Sequence, residues 1–348
     1  LGLLALSLLL AAGFVEIGLR VIFGSPVHFR YPQERYVAEP AIGHWLEPDQ
    51  RTFTHDAIVE TNSVGLRGPE RARELGPGQC RILALGDSQT FGDGLEYTET
   101  WPALLESALA DIPGIDEVQV LNAGISGTDT WQHEHVLRRL AEHYEYDSVV
   151  LAFYVNDVTP RYAPRQATRL TNTSTKRIGY ALKRSALFTF LWQLYQMRVS
   201  DSGVVERERR TLEDDPDETL ERAWEQVEES LRGIQNEAAA RGAEFVLVVL
   251  PRRDQVSAEN PPRGYNRRLA SITARLGIPS IDVLESLRAA YDRHGSSLFI
   301  PWNGHNTGQT NALVVQRLVD EFGGHALCGE PRGHGIRTAT PREPGPVR

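Results

Sequence analysis

Arg81-Ile82-Leu83-Ala84-Leu85-Gly86-Asp87-Ser88-Gln89-Thr90-Phe91-Gly92 is the stretch on which the fold turns. Ile82 to Leu85 form a short apolar run, the pattern of a buried strand. Gly86-Asp87-Ser88 then breaks the run with small polar residues. Such a turn on the end of a buried strand lifts one side chain out of the sheet. Ligands of open α/β sheets collect at that carboxyl edge. A serine held there becomes a nucleophile when a base reaches it. Taken alone, the tripeptide is equally an ordinary turn, so its meaning depends on the rest of the chain.

Outward from this stretch, apolar strands alternate with helices. Trp101 to Leu109 has helical spacing. A second strand, Val118 to Leu121, runs into Asn122-Ala123-Gly124-Ile125-Ser126-Gly127, and a helix is expected over 128–143. A third strand, 148–155, ends in Asn156-Asp157. A fourth, 244–250, is closed by Pro251, and a short fifth covers 279–283. Continuous apolar strands separated by helices predict a parallel sheet covered on both faces. Asp215-Pro216-Asp217-Glu218 opens the helix before strand four, with Asp215 as cap, Pro216 in the first turn and Glu218 closing a capping box. Leu220, Trp224, Val227, Leu231, Ile234 and Ala238 then form one apolar stripe ended by Gly242. A stripe this short fits a helix over strand four better than a coiled coil. A last helix is expected over 307–323.

The flanks differ in character. Residues 1–24 are an apolar segment, uncharged to Val15 and interrupted by Glu16 and Arg20, which stand four apart and pair on a helix. The expectation is a truncated signal-anchor. A secretory signal cleaved near Ala11-Ala12-Gly13 and a soluble amphipathic helix are the alternatives. The anchor is favoured because Ile17, Leu19, Val21, Ile22 and Phe23 continue the apolar run. Residues 25–79, rich in Pro, Gly and charge, read as an irregular extension over the sheet, with short strands at 52–61. The main domain is expected over 80–325 with an insertion at 158–216. Within it, 178–197 is rich in aromatics and reads as a cap over the site, a helix on the membrane surface or a helix packed on the body. Residues 201–216 read as a charged linker, and 326–348 as a disordered tail. The 348 residues, 41% hydrophobic with a net charge of -9, suit a globular body and argue against a general nucleic-acid binder.

Ser88, Gly124 and Asn156 all fall at strand ends, and parallel strands bring such ends to one edge. Acyl transfer from an ester builds negative charge on the carbonyl oxygen, which fixed donors stabilise. The backbone N–H groups of Ser88 and Gly124 and the side-chain amide of Asn156 would supply three. The base comes from Ile300-Pro301-Trp302-Asn303-Gly304-His305-Asn306-Thr307, where His305 sits in a turn before the last helix. His133, His135 and His143 lie on a helix and read as surface or core residues. Trp302 either stacks on a sugar or fills the core.

These blocks resemble the SGNH, or GDSL, hydrolases. Gly86-Asp87-Ser88 matches the family's first block, Gly124 the second, Asn156 the third and His305 the last, in the family's order over about 80–323. The resemblance implies a flavodoxin-like three-layer α/β/α sandwich with a five-stranded parallel sheet in the order 2-1-3-4-5. It implies ester hydrolysis through a serine acyl-enzyme, with Ser88 as nucleophile and His305 as base, and no metal or cofactor. The anchor and the Gly65-Leu66-Arg67-Gly68 segment are similar to membrane-bound bacterial members, some of which act on surface polysaccharides. An O-acyl ester of a cell-envelope carbohydrate, with O-acetyl as the candidate group, is therefore the expected substrate, with the catalytic domain periplasmic or extracellular. An O-acyltransferase and a weakly active or inactive binding protein are the alternatives. One departure stands out: Asn303 occupies the place of the family's aspartate. It leaves a Ser–His dyad with Asn303 orienting the ring, an acid supplied from elsewhere, or a non-catalytic descendant. Finally, Cys80 begins strand one at the edge opposite the site and Cys328 follows a helix running toward that edge. A disulfide and two free thiols are both consistent with this placement.

Overall fold

A computed structural model describes residues 2–23, 32–55, 57–158, 182, 185–199, 202–301 and 303–329. Trp302 and 330–348 lie outside these, as does most of the insertion before Ser185. Helix α1 (Gly2–Phe23) is followed by two antiparallel hairpins. Strands β1 (Tyr36–Glu39) and β2 (Gly43–Leu46) make the first, and β3 (Arg51–Thr54) and β4 (Ala57–Glu60) the second. The extension is therefore more regular than its Pro- and Gly-rich composition suggests. It holds to the body through Glu39, which pairs with Arg139 at 2.8 Å, and through the Ile42 carbonyl, which accepts from Gln132 Nε2 at 2.5 Å.

Five parallel strands form the sheet: β5 (Gln79–Gly86), β6 (Glu117–Gly124), β7 (Ser148–Phe153), β8 (Glu244–Val249) and β9 (Ser280–Asp282). Their order is β6-β5-β7-β8-β9, which numbered within the sheet is 2-1-3-4-5. Side chains alternate between faces along each strand, and both faces are covered. On one, Leu83, Leu85, Val149, Leu151 and Leu247 pack with helices α4 (Thr130–Ala141), α7 (Glu218–Ala239) and α9 (Gly264–Leu276). On the other, Ile82, Ala84, Val120, Val150 and Val248 pack with α3 (Trp101–Ala108), α10 (Leu284–His294) and α11 (Gly308–Cys328). This is why the strands read as unbroken apolar runs rather than as alternation. All six residues of the α7 stripe are buried, and Leu220, Val227, Leu231 and Ile234 are each worth about 1.5–3 kcal/mol of transfer free energy.

Three local readings need correction. The cap of α7 is Asp217, whose carboxylate accepts from the Leu220 N–H at 2.9 Å, not Asp215; an acceptor three residues before its donor satisfies an orphan N–H directly. The supposed linker at 201–216 contains helix α6 (Ser202–Thr211), with Leu212 buried and Glu208 paired to Arg252 at 2.5 Å. Helix α11 does not stop at Gly323: that glycine takes a left-handed φ of 69°, kinks the helix, and the chain continues helically to Cys328. The continuation delivers Cys328 to Cys80, with Cα atoms 5.4 Å apart and a disulfide between them.

Candidate active site

The turn after β5 is built for close approach. Asp87 caps the one-turn helix α2 (Ser88–Phe91), its carboxylate accepting from the Gln89 N–H at 2.8 Å. Gly124, at the end of β6, faces this helix so tightly that a Cβ would lie 2.1 Å from the Phe91 nitrogen. Only glycine fits there, so what demands it is packing rather than a tight turn. Gly86 has a φ of 151°, and a Cβ on it would meet Thr90 Oγ1 at 2.1 Å.

Ser88 and His305, 217 positions apart in the chain, meet here: Ser88 Oγ lies 2.7 Å from His305 Nε2. With the serine as donor, Nε2 accepts and the neutral ring carries its proton on Nδ1. That nitrogen is buried and has no hydrogen-bond partner among the described residues. Asn303 does not supply one. Its Oδ1 accepts from the backbone N–H of His305 at 3.1 Å, and its buried Nδ2 has no partner among the described residues. Asn303 thus shapes the loop, while the expected contact with the ring is not made.

The candidate oxyanion donors converge from three strand ends. The Ser88 N–H is the first of α2 and has no intrahelical acceptor. Asn156 sits in a 3-10 turn, Val155–Asp157, after β7, and its Nδ2 donates to Asp87 Oδ2 at 2.7 Å. The Gly124 N–H donates to Asn122 Oδ1 at 3.1 Å, so an incoming oxyanion must share or displace that bond.

Three residues that were not singled out in the sequence complete the site. Asp87 is fully buried and its second carboxylate oxygen also lies 3.4 Å from Ser88 Oγ. Burial pushes its carboxyl above the ordinary aspartate range, opposed by the Gln89 N–H, by the charge of His305 and by Asn156. The signal was its place inside Gly-Asp-Ser, read as turn chemistry alone. Gln89 Oε1 accepts from the Asn306 N–H at 3.1 Å and ties the histidine loop to the serine helix. Arg67, of the Gly65-Leu66-Arg67-Gly68 segment, donates to the carbonyls of Phe91, Gly92, Leu95 and Ile58 at 2.6–3.0 Å. Its guanidinium is buried, which lowers its pKa to about 10, and it clamps the loop that leaves Ser88.

His133 is a core residue, held neutral by burial that pushes its pKa to about 3. Asp157 beside it is raised well above the aspartate range by burial and by Asp87. The two side chains approach to 3.4 Å. Among the described residues, no three His, Cys, Asp or Glu side chains are grouped to hold a metal ion.

With this geometry in place, comparison with known proteins gives the family. Residues 84–302 match the GDSL-like Lipase/Acylhydrolase family. The chain belongs to it. It is an ester-hydrolysing enzyme of the GDSL/SGNH type. Solved structures similar to this GDSL hydrolase include a lipolytic G-D-S-L family protein from Veillonella parvula DSM 2008. It is 15% identical, with a TM-score of 0.41, over 70% of this chain and 98% of that one. The psychrotrophic esterase EstA from Pseudoalteromonas sp. is 15% identical, TM-score 0.40, over 69% and 95%. A two-domain esterase active on acetylated mannans is 13% identical, TM-score 0.42, over 79% and 54%. No curated protein sequence matches this GDSL hydrolase.

Proposed function

We propose that this hydrolase is a serine esterase in which Ser88 and His305 do the covalent chemistry. The 2.7 Å contact between Ser88 Oγ and His305 Nε2 carries the reading, because a base must lie within hydrogen-bond reach of the proton it takes. Ser88 Oγ attacks the ester carbonyl as its proton passes to Nε2. The carbonyl π electrons move to oxygen, where the Ser88 N–H, the Gly124 N–H and Asn156 Nδ2 receive the charge. Collapse expels the alkoxide, which takes the proton from Nε2 and leaves the acyl group on Ser88. Water then enters by the reverse path, with His305 again as base, and releases the carboxylic acid.

Asp87 serves as the acid supplied from elsewhere. Its buried carboxylate faces the imidazolium that forms, and attraction between the two groups is strong where water is excluded. Asn303 acts as a positioning residue through the His305 backbone. The substrate class is an O-acyl group, of acetyl size, on a cell-envelope carbohydrate. That part rests on the similarity of the N-terminal segment and Gly65-Leu66-Arg67-Gly68 to membrane-bound family members. Helix α1 is the membrane anchor: Gly2–Ile22 has a mean hydropathy of 2.1 and is long and apolar enough to cross a bilayer, with none of it buried in the protein.

A fluorophosphonate probe tests the chemistry. The protein is expected to label at Ser88, and both Ser88→Ala and His305→Ala are expected to abolish labelling. Absence of labelling in folded wild-type protein would replace this reading with a binding protein that has lost turnover. The observation on that side is that Nδ1 of His305 has no partner among the described residues.

A further inference from the structure

The aromatic stretch of the insertion forms helix α5 (Ala186–Val199), which packs against α1 rather than over Ser88. One carboxylate organises the contact. Glu16 Oε1 accepts from the Ala186 N–H at 3.0 Å. Glu16 Oε2 accepts from the Leu187 N–H and from Ser185 Oγ, both at 2.9 Å. Ser185 Oγ in turn accepts from the Phe188 N–H at 3.2 Å. The first N–H groups of a helix have no intrahelical acceptor, yet here the first three are all met by side chains. Arg20, one turn along α1, pairs with Glu16 at 2.6 Å. Ala186 is fully buried with Leu19 and Phe190 around it.

Such an arrangement makes physical sense out of water. Glu16 stands six residues before Ile22, the end of the apolar span, so it lies about 9 Å inside that end at 1.5 Å per residue. Backbone groups at that depth need partners within the protein, and a charged side chain needs a counter-charge. Glu16 meets both needs at once, since it pairs with Arg20 and sits at the positive end of α5. The outer surface agrees. Leu191 and Tyr195 of α5 are more than half exposed, as are Ile17, Val21 and Ile22 of α1. Phe188 stacks on Trp192 at 6.2 Å and Trp192 meets Tyr195 at 5.6 Å, an aromatic cluster of the kind enriched where membrane meets water.

We propose that α5 is a second membrane element, fastened to α1 by Glu16, and that the bilayer covers its apolar surface. The inference rests on α1 being an anchor. It has a consequence for the site. Helix α6, ten residues and about 15 Å long, leads from α5 to the turn that carries Asn156. The clasp therefore holds the catalytic edge close to the membrane surface.

The test uses the full chain in phosphatidylcholine vesicles, with and without bromine on the acyl chains. Wild type is expected to sediment with vesicles after an alkaline wash, and brominated lipid is expected to quench its tryptophan emission. Trp192→Phe should remove at least half of that quenching. Glu16→Leu, which keeps α1 apolar but removes the acceptor, should do the same while sedimenting as before. Hydrogen exchange at the amides of 186–188 should be at least tenfold faster in Glu16→Leu. Protein that sediments but whose quenching is unchanged by Trp192→Phe overturns the membrane role of α5 and leaves the anchor standing. Unchanged quenching and exchange in Glu16→Leu overturn the clasp. Protein that fails to sediment overturns the anchor and this inference together.

Discussion

The two halves of the proposed catalytic pair, Ser88 and His305, are held very differently. Ser88 sits in a dense polar frame. Asp87 caps its helix, Arg67 fixes four carbonyls in the loops around it, and Gly124 lets β6 press against it. His305 is held mainly by its backbone, through Asn303 and through the Gln89–Asn306 bond. Its ring has one partner, Ser88, and nothing on Nδ1 among the described residues. Position is therefore well determined on both sides, while electrostatic support is concentrated beneath the serine. A carboxylate under the nucleophile steadies an imidazolium by charge, but it does not fix the tautomer as an acceptor on Nδ1 does.

Substitutions can break or sharpen this contrast. The largest effect is expected on the serine side. Arg67→Met leaves several buried carbonyls without donors and should cost about 3–5 kcal/mol, because each unmet buried group costs about 1–3 kcal/mol. Urea unfolding would read it, and a loss under 1 kcal/mol would mean the clamp is dispensable. Asp87→Asn keeps a cap for Gln89 but removes the charge. It should lower kcat about 100-fold, or about 2.7 kcal/mol, with the unfolding midpoint little changed; an unaltered kcat would remove Asp87 from the reaction.

On the histidine side the expected change is a gain. Asn303→Asp retains the acceptor for the His305 N–H and turns the partnerless Nδ2 into a second acceptor. Fluorophosphonate labelling and short-chain ester turnover should rise about tenfold, a fraction of the ~10⁴ that the equivalent swap costs a serine protease. A folded mutant with an equal or lower rate would show that the loop cannot use an acid there. A separate effect, away from the pair, concerns the pH dependence of stability. Glu34 is buried near Asp93 and the Arg67 guanidinium, and burial first, then the Asp93 charge, push its carboxyl up to about 8. The folded state thus holds a proton that the unfolded state releases above the ordinary glutamate value, so this group's contribution falls as pH rises from about 4.5 to about 8. Glu34→Gln should be increasingly stable relative to wild type across that window. A melting-temperature difference that stays flat with pH would contradict it.

The sheet was legible because its physics is local. Strands buried on both faces must be apolar throughout, and helices covering them must carry a stripe, so the runs at 82–85, 148–153 and 244–249 and the stripe on α7 announce themselves. The hairpins at 36–60 were half seen, since short strands whose fixing contacts lie far away in the chain, such as Gln132 on Ile42, give little periodic signal. The four blocks bearing Ser88, Gly124, Asn156 and His305 could be named from residue type and order alone.

What the sequence by itself determined, then, is the layered fold and which groups, proposed here to carry ester chemistry, gather at one edge of the sheet. Both follow from burial and from the rule that parallel strands end together. Tertiary structure alone decided how those groups are wired. Whether an asparagine touches a ring or a backbone, whether His305 reaches the serine beside Asp87, and whether Glu16 meets the start of α5 all depend on ångström-scale separations between groups that residue order does not place. Hydrogen bonds and desolvation vary steeply over such distances, and residue order carries no record of them.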